Sequence, residues 1–189
     1  MKRPACLNLL LVSILVFAFS PASAAPTFEE SIQKTQFTVP VDKAEIALMK
    51  DTTTLLISCV DFRLRHETEK LMRQELHLLN DYDEVAMPGA SLAVVATQYP
   101  AWQQTLNDII GLVEKLHNIK RIILLDHRDC GAYKLIKGGD YTKNRAEETQ
   151  VHKETLLEAK KVLEKKFPNL KVYTLLLGLD GVVDNFHGE

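Results

Sequence analysis

The sequence predicts an α/β domain in three layers, in which helices cover both faces of a central, mostly parallel sheet of four to five strands. Four apolar or β-branched runs of strand length alternate along the chain with longer segments of helical periodicity. The run TTTLLISCV (52–60) is β-branched and apolar and is bounded by polar residues, which is typical of a strand buried on both faces. Such alternation indicates right-handed crossovers between parallel strands.

The first 24 residues predict a secretory signal peptide. Two basic residues precede an apolar run from Leu9 to about Phe19, and three small residues ending at Ala24 follow it. The apolar run is shorter than the about 20 residues that a membrane-spanning helix needs. We therefore expect cleavage after Ala24, an exported protein that is periplasmic or secreted, and no membrane anchor in the mature chain.

The mature chain has the size and charge of one ordinary domain. Cleavage would leave 165 of the 189 residues and would change the formal net charge from -2 to -4. A weakly acidic chain lacks the basic surface that nucleic acid requires, so we expect no nucleic-acid partner. Residues 25–50 are expected to form a lead-in segment with a short helix near 43–50, and residues 51–189 a single α/β domain.

The elements of the first half follow from apolar runs and turn residues. The run TTTLLISCV (52–60) predicts the first strand, and leucines at helical spacing predict a helix over 65–79. A second short strand is expected at 83–87. The turn PGAS ends it, and Ser91 is placed to cap the next helix.

The second half continues the same alternation. Residues 91–117 predict a helix interrupted near Pro100, and residues 119–127 predict a third buried strand. A long helix is expected from about 146 to 166, followed by a fourth strand at 170–179 and a polar tail. The inward face of the long helix is predicted to carry Val151, Thr155, Leu156, Ala159, Val162 and Leu163.

Two cysteines remain after cleavage, Cys59 and Cys130, and both fall at the carboxyl ends of predicted strands. Ligands of open parallel sheets bind beyond these ends. In an exported protein a disulfide between two cysteines is the ordinary alternative, and it stays open here. A redox pair is disfavoured because the chain has no C-x-x-C motif.

Residues beside the cysteines suggest a metal site. Cys59, Asp61 and Arg63 alternate in CVDFR, so an extended backbone would turn all three to one side, and His127 and Cys130 are three apart in HRDCG. If the first and third strands are neighbours, two sulfurs and one imidazole meet, a set that suits Zn²⁺ with an open fourth position. Asp61 would accept a hydrogen bond there, held ionised by Arg63. A structural ion pair for these two residues is the alternative.

The pairing of C-x-D-x-R with a later H-x-x-C-G resembles the β class of carbonic anhydrases, over roughly residues 52–186. The resemblance implies one Zn²⁺ held by Cys59, His127 and Cys130, with Asp61 and Arg63 as the catalytic pair. It also implies a single catalytic domain that hydrates carbon dioxide reversibly to bicarbonate. In some members the matching aspartate occupies the fourth zinc position at rest, so Asp61 is either a ligand or a hydrogen-bond acceptor.

The resemblance extends to the PGAS turn, where Gly89 and Ala90 would form a loop beside the substrate. Phe62 and Pro88 depart from the family pattern, which has a small hydroxyl residue and often a polar amide there. The same fold also serves relatives that act on carbon disulfide or carbonyl sulfide, so hydrolysis of a sulfur analogue is an alternative. A disulfide-bonded binding module without metal is another. A homodimer or higher homo-oligomer is plausible because a small parallel sheet leaves an edge exposed.

The other histidines are expected on helix surfaces, at helix ends or in the tail, without a catalytic role. They are His66, His77, His117, His152 and His187. Asp129 is expected to cap the helix that follows it, and Tyr133 to pack within that helix, with a position lining the pocket as the alternative.

Overall fold

The computed structural model describes residues 52–186 continuously, together with residues 28, 32, 33, 39–41, 43 and 44. The chain divides into two units, residues 1–41 and 42–189, and the second contains the sheet. The predicted signal peptide and most of the lead-in segment, including all but the first two residues of its short helix, lie outside the described residues. Within the described part of the chain, no helix is long and apolar enough to cross a membrane.

A five-stranded sheet forms the centre of the second unit, with the strand order β2-β1-β3-β4-β5. The first four strands pair in parallel and β5 pairs antiparallel with β4, which confirms the predicted fold class. The strands are β1 (Thr54–Ser58), β2 (Asp83–Ala86), β3 (Arg121–His127), β4 (Lys171–Leu177) and β5 (Val183–Asn185).

The last strand differs from the prediction, which places its three residues in a polar tail. β5 adds to the edge of β4 through backbone pairing and is held by an ion pair. The Nη2 atom of the buried Arg128 lies 2.5 Å from Asp184 Oδ2. A strand this short and polar takes its stability from these contacts rather than from apolar periodicity.

The helices lie where the periodicity predicts them, with differences at their ends. They are α1 (Arg65–Lys70), continued by a π-helical turn (Leu71–Glu75), α2 (Leu92–Val95), α3 (Pro100–His117), α4 (Gly131–Lys137) and α5 (Arg145–Lys166). The first helix ends at Glu75, with Leu76 as its C-cap, rather than at residue 79, because His77 adopts a positive φ of 54°. The predicted interruption near Pro100 is confirmed, and Pro100 begins α3.

Alternate strand residues face two separate apolar layers. Leu55 and Ile57 of β1 pack with α2, α3 and α5 on one face of the sheet. Leu56, between them, faces the layer of α1 and its π-helical turn on the other side. All five residues of β1 are buried. The predicted covering of both sheet faces is therefore confirmed, and the carboxyl ends of β1 and β3 lie at one edge between the two layers.

The inward face of α5 agrees with the prediction except at Val162. Thr155, Leu156, Ala159 and Leu163 are buried, whereas Val162 is 43 % exposed. At about 100° per residue, the buried positions occupy an arc from Thr155 to Leu156 around the helix axis, and Val162 falls just outside that arc. The apolar stripe is narrower than the sequence suggested.

This difference can be measured by truncating the two neighbours separately. Leu163→Ala should lower the free energy of unfolding by about 2–5 kcal/mol, because it leaves a cavity in a packed layer. Val162→Ala should cost no more than about 1 kcal/mol, because much of that side chain is in water. Urea denaturation measures both, and equal losses for the two variants would contradict this packing.

Candidate metal centre

The pairing of β1 with β3 creates the site. The two strands run parallel, with Ile57 beside Leu124, so they end at the same edge of the sheet. Cys59 follows β1 directly, and His127 is the last residue of β3. Cys130 comes three residues later and immediately precedes α4. Residues 71 positions apart in the chain are thereby brought into contact.

Two sulfur atoms and one imidazole nitrogen meet at this edge. The ligand atoms of Cys59, His127 and Cys130 all lie within 4.8 Å of one another. The two sulfur atoms are 4.0 Å apart, about twice the length of a disulfide bond, and both cysteines are free. The alternative of a Cys59–Cys130 disulfide is therefore absent from this structure.

The state of His127 fits a metal ligand. Its Nδ1 atom donates to the backbone oxygen of Arg128 at 2.8 Å, so in the neutral ring Nε2 is the nitrogen that carries the lone pair. Nε2 is buried and has no hydrogen-bond partner among the described residues. A buried polar atom without a partner is costly, and a cation between the two sulfurs would satisfy it.

The cysteine pair attracts positive charge. The hydrogen bond between the two sulfur atoms lowers the pKa of Cys59 to about 4, against the opposing effect of burial. The same contact and burial raise the pKa of Cys130. Burial is the largest single influence and lowers the pKa of His127, but its interactions with Cys59, the Arg128 backbone and Asp61 together raise it. Soft donors of this kind, two sulfurs and an imidazole, can hold a metal ion.

Asp61 and Arg63 form an ion pair beside the sulfurs. The Arg63 Nη2 atom donates to Asp61 Oδ2 at 2.7 Å, and Nε lies 3.0 Å from Oδ1. This hydrogen bonding lowers the pKa of Asp61 to about 2. A lowered pKa favours the ionised form, so the carboxylate keeps its charge at neutral pH and loses it only as the pH falls through about 2. Asp61 Oδ2 lies 3.8 Å from His127 Nε2.

The sequence predicts that Asp129 caps the next helix, but in the structure Asp129 binds Arg63 instead. Its Oδ2 accepts from Arg63 Nη1 at 2.8 Å, and its backbone oxygen accepts from Nη2 at 2.9 Å. Asp129 adopts a left-handed φ of 55°. The guanidinium group thus binds the segment after β1 to the segment between His127 and Cys130.

The PGAS turn contacts a sulfur atom. The backbone N–H of Gly89 donates to Cys59 Sγ at 3.3 Å. Both Gly89 (φ 69°) and Ala90 (φ 43°) are left-handed, and this conformation costs a residue with a side chain about 1–2 kcal/mol. A Cβ at Gly89 would lie 2.7 Å from Leu92 Cδ1, so a larger residue there would displace the buried Leu92 side chain in addition to straining the backbone. Ala90 is completely buried.

An open, mainly apolar cleft of about 410 Å³ leads to the sulfurs. Asp61 supplies the one carboxylate among the described residues that line it. Tyr99 and Trp102 stack at a centroid distance of 4.1 Å along its wall. The apolar lining residues are Val60, Pro88, Ala132, Leu135 and Ile136.

The histidine predictions fail at one position. His66 and His77 are exposed, and His117 Nδ1 lies 2.6 Å from Asp83 Oδ2. As expected, none of these three histidines belongs to the cluster of Cys59, His127 and Cys130. His187 lies outside the described residues. His152, expected on a helix surface, is only 1 % exposed and contacts Asp126.

Two further residues contact the same carboxyl group. Ser91 does not cap a helix with its side chain, and its hydroxyl bonds Asp126 instead. The Tyr133 hydroxyl also donates to Asp126. Tyr133 is buried, as expected, and it does not line the apolar cleft. An aspartate at the end of an apolar strand was the signal for this cluster, because a buried carboxyl group needs hydrogen-bond partners.

Comparisons with known proteins agree with this architecture. The pattern of a family described as "Putative carbonic anhydrase" matches residues 49–186. An uncharacterized protein of Rickettsia bellii (strain RML369-C) is 50 % identical over 149 residues, which cover 79 % of this chain and 90 % of that protein. One from Rickettsia conorii (strain ATCC VR-613 / Malish 7) is 47 % identical, over 79 % of this chain and 80 % of that protein.

Solved structures support the fold. A tetrameric β-carbonic anhydrase of the filamentous ascomycete Sordaria macrospora superposes with a TM-score of 0.51 and 18 % identity. The match covers 77 % of this chain and 85 % of that chain. This likeness shows the same arrangement of strands and helices.

Metal analysis tests the three-residue cluster directly. We expect the purified protein to hold about one transition-metal ion per chain, as a site of three ligands does. His127→Ala and Cys130→Ser should each lose it, because two ligands bind a metal ion far more weakly. His66→Ala is the matched control, since His66 is exposed on α1. Full metal content in Cys130→Ser would contradict the assignment.

Proposed function

The chain belongs to this carbonic anhydrase family, and on that basis we propose that it is a zinc enzyme that hydrates carbon dioxide reversibly to bicarbonate. The observation that carries the proposal is the cluster of Cys59, His127 and Cys130, within 4.8 Å of one another, at the end of an apolar cleft. Two thiolates and one imidazole suit Zn²⁺ and leave one coordination position open. When bound, Zn²⁺ supplies a Lewis acid that lowers the pKa of water at that position.

Asp61 is the group that orients the attacking water in this proposal. Both of its oxygen atoms accept hydrogen bonds from Arg63, and Oδ2 lies 3.8 Å from His127 Nε2. In this proposal the Asp61 carboxylate, held in place by Arg63, accepts a hydrogen bond from the water at the open coordination position. The hydrogen bonds from Arg63 favour the role of Asp61 as a hydrogen-bond acceptor over its role as a fourth ligand. To bind the metal ion, Asp61 would have to give up some of its hydrogen bonds with Arg63.

The cleft suits a small apolar substrate. Carbon dioxide has no net dipole and accepts hydrogen bonds weakly, so apolar walls can hold it beside the site without a polar binding group. Trp102, Leu135 and Ile136 provide such walls. Bicarbonate, which is charged, would interact poorly with them, and this favours its release into water.

Activity measurements separate the role of Asp61 from metal binding. Zinc-loaded wild-type protein should hydrate carbon dioxide in a stopped-flow assay, and Asp61→Asn and Arg63→Ala should each lower kcat by about 100-fold or more. Both variants should retain zinc, because neither removes a ligand. Arg65→Ala is the control, since Arg65 is exposed at the start of α1.

Parallel assays address the sulfur analogues. Zinc-loaded protein that hydrolyses carbonyl sulfide or carbon disulfide and leaves carbon dioxide unchanged would contradict the proposed substrate and favour the alternative. Full activity of Asp61→Asn on carbon dioxide would contradict the proposed role of Asp61.

We further propose that the mature protein is exported, to the periplasm or the medium, as a homo-oligomer. The amino-terminal sequence supports export, through its order of basic, apolar and small residues. Exposed apolar side chains near the cleft support self-association: Phe62 is 81 % exposed and Leu135 is 77 % exposed. The related enzyme of Sordaria macrospora is tetrameric.

Native mass spectrometry of protein recovered from secreting cells measures both properties. We expect subunits that begin at Ala25 and assemble as a dimer or a multiple of it. Phe62→Ser should weaken assembly, and Val162→Ser, on the exposed side of α5, should not. Subunits that retain Met1 would contradict export, and a monomer at micromolar concentration would contradict self-association.

A further inference from the structure

The carboxyl group of Asp126 is buried at the centre of a polar cluster behind the metal centre. Asp126 lies in β3, one residue before His127, and is 1 % exposed. Its Oδ1 atom accepts from the backbone N–H of Ser91 at 3.0 Å, and Oδ2 accepts from the Ser91 hydroxyl at 2.7 Å. Tyr133 donates to Oδ2 through its hydroxyl group, and His152 Nδ1 lies 3.0 Å from the same oxygen.

Every member of this cluster is buried. Ser91, Tyr133 and His152 are each no more than 1 % exposed, and the rings of Tyr133 and His152 pack at a centroid distance of 3.7 Å with a tilt of 34° between their planes. The Nε2 atom of His152 is buried without a partner among the described residues. Burying this many polar groups opposes folding unless the groups form hydrogen bonds with one another.

Through Ser91, Asp126 holds the left-handed turn that contacts Cys59. Gly89 and Ala90 adopt φ values of 69° and 43°, which need support from the surrounding contacts. On one side, Met87 N–H bonds the backbone oxygen of Ser58, and on the other side Ser91 is held twice by Asp126. Between these anchors, the Gly89 N–H is aimed at Cys59 Sγ from 3.3 Å.

Through Tyr133, Asp126 also holds the helix that follows Cys130. Tyr133 lies in the first turn of α4, which begins at Gly131. Its side chain packs with Cys130 and Leu92 in one apolar cluster. The hydrogen bond from its hydroxyl group therefore fixes α4, and with it Cys130, relative to β3. The third segment that Asp126 holds is β3, because Asp126 lies in this strand and His127 is the residue that follows Asp126.

We propose that Asp126 is the positioning residue of the metal centre, because its single carboxyl group fixes the three segments on which Cys59, His127 and Cys130 are placed. Asp126 does not contact the metal ion and acts through Ser91 and Tyr133. This inference rests on the proposed zinc site. Groups that orient metal ligands from behind commonly change metal affinity by about 10- to 100-fold when they are removed.

Two mild variants test this role without removing the carboxyl group. Ser91→Ala deletes one hydroxyl and leaves the backbone N–H in place, and Tyr133→Phe deletes one hydroxyl and leaves the ring packed. Thr174→Val is the matched control. Thr174 is also buried, and its hydroxyl donates to the backbone oxygen of Phe186, away from the cluster.

The measurements are Zn²⁺ affinity, by competition with a chromophoric chelator, and the absorption spectrum of the Co²⁺-substituted protein. Ser91→Ala and Tyr133→Phe should bind Zn²⁺ about 10- to 100-fold more weakly and should shift the cobalt d–d bands, while two thiolate-to-cobalt bands persist. Thr174→Val should bind Zn²⁺ with the affinity of the wild type, even if its melting temperature falls as far as those of Ser91→Ala and Tyr133→Phe. A merely structural cluster would lower the melting temperature without moving the cobalt spectrum.

The outcomes separate the two proposals. Wild-type protein that binds Zn²⁺, together with variants whose affinity lies within twofold of it and whose cobalt spectra are unchanged, would overturn the role of Asp126 alone. Equal weakening in Thr174→Val would overturn it as well, because the effect would then follow stability. Wild-type protein that binds no Zn²⁺ would overturn both the zinc site and its positioning residue.

Discussion

The parallel pairing of β1 with β3 is the constraint on which the rest of the site depends. Because the strands are adjacent and end at the same edge, Cys59 meets His127 and Cys130, which lie far away in the sequence. The pairing is stabilised by two apolar layers, since alternate residues of β1 face opposite sides of the sheet. Burial of the strands therefore brings together three soft donor atoms that no local segment could supply.

The polar groups around the donors divide into two sets with different surroundings. On the open side, Arg63 binds both Asp61 and Asp129 and keeps a carboxylate ionised at the end of the cleft. On the closed side, Asp126 accepts hydrogen bonds from Ser91 and from other buried residues. The first set can contact a substrate. The second set is out of contact with water and can act only by fixing the backbone segments that hold the donors.

Much of the fold and the donor set followed from local sequence patterns. The strands β1, β3 and β4 contain apolar runs, β2 is marked by the turn that ends it, and the carboxyl ends of β1 and β3 locate Cys59, His127 and Cys130. Strand β5 was missed because its pairing depends on a contact with β4 and on the ion pair of Asp184, which leave no periodic pattern. The roles of single residues at turns, such as Asp129, depended on contacts that only the folded chain defines.

His152 shows how a pattern can be present and still be misinterpreted. It lies four residues before Leu156, on the buried stripe of α5 that continues to Ala159 and Leu163. A histidine on a long, charged helix is ordinarily solvated. The sequence does not indicate that Asp126 contacts His152, because the two residues lie 26 positions apart. Pairs of buried polar residues distant in sequence can be assigned only when the topology of the sheet is known.

X-ray absorption spectroscopy at the zinc edge tests the central claim most directly, because it identifies the atoms bound to the metal. The account predicts two sulfur neighbours at about 2.3 Å and one imidazole nitrogen at about 2.0 Å, with a light atom in the fourth position. A spectrum without sulfur neighbours, or with four of them, would contradict the assignment of Cys59, His127 and Cys130 as the zinc ligands.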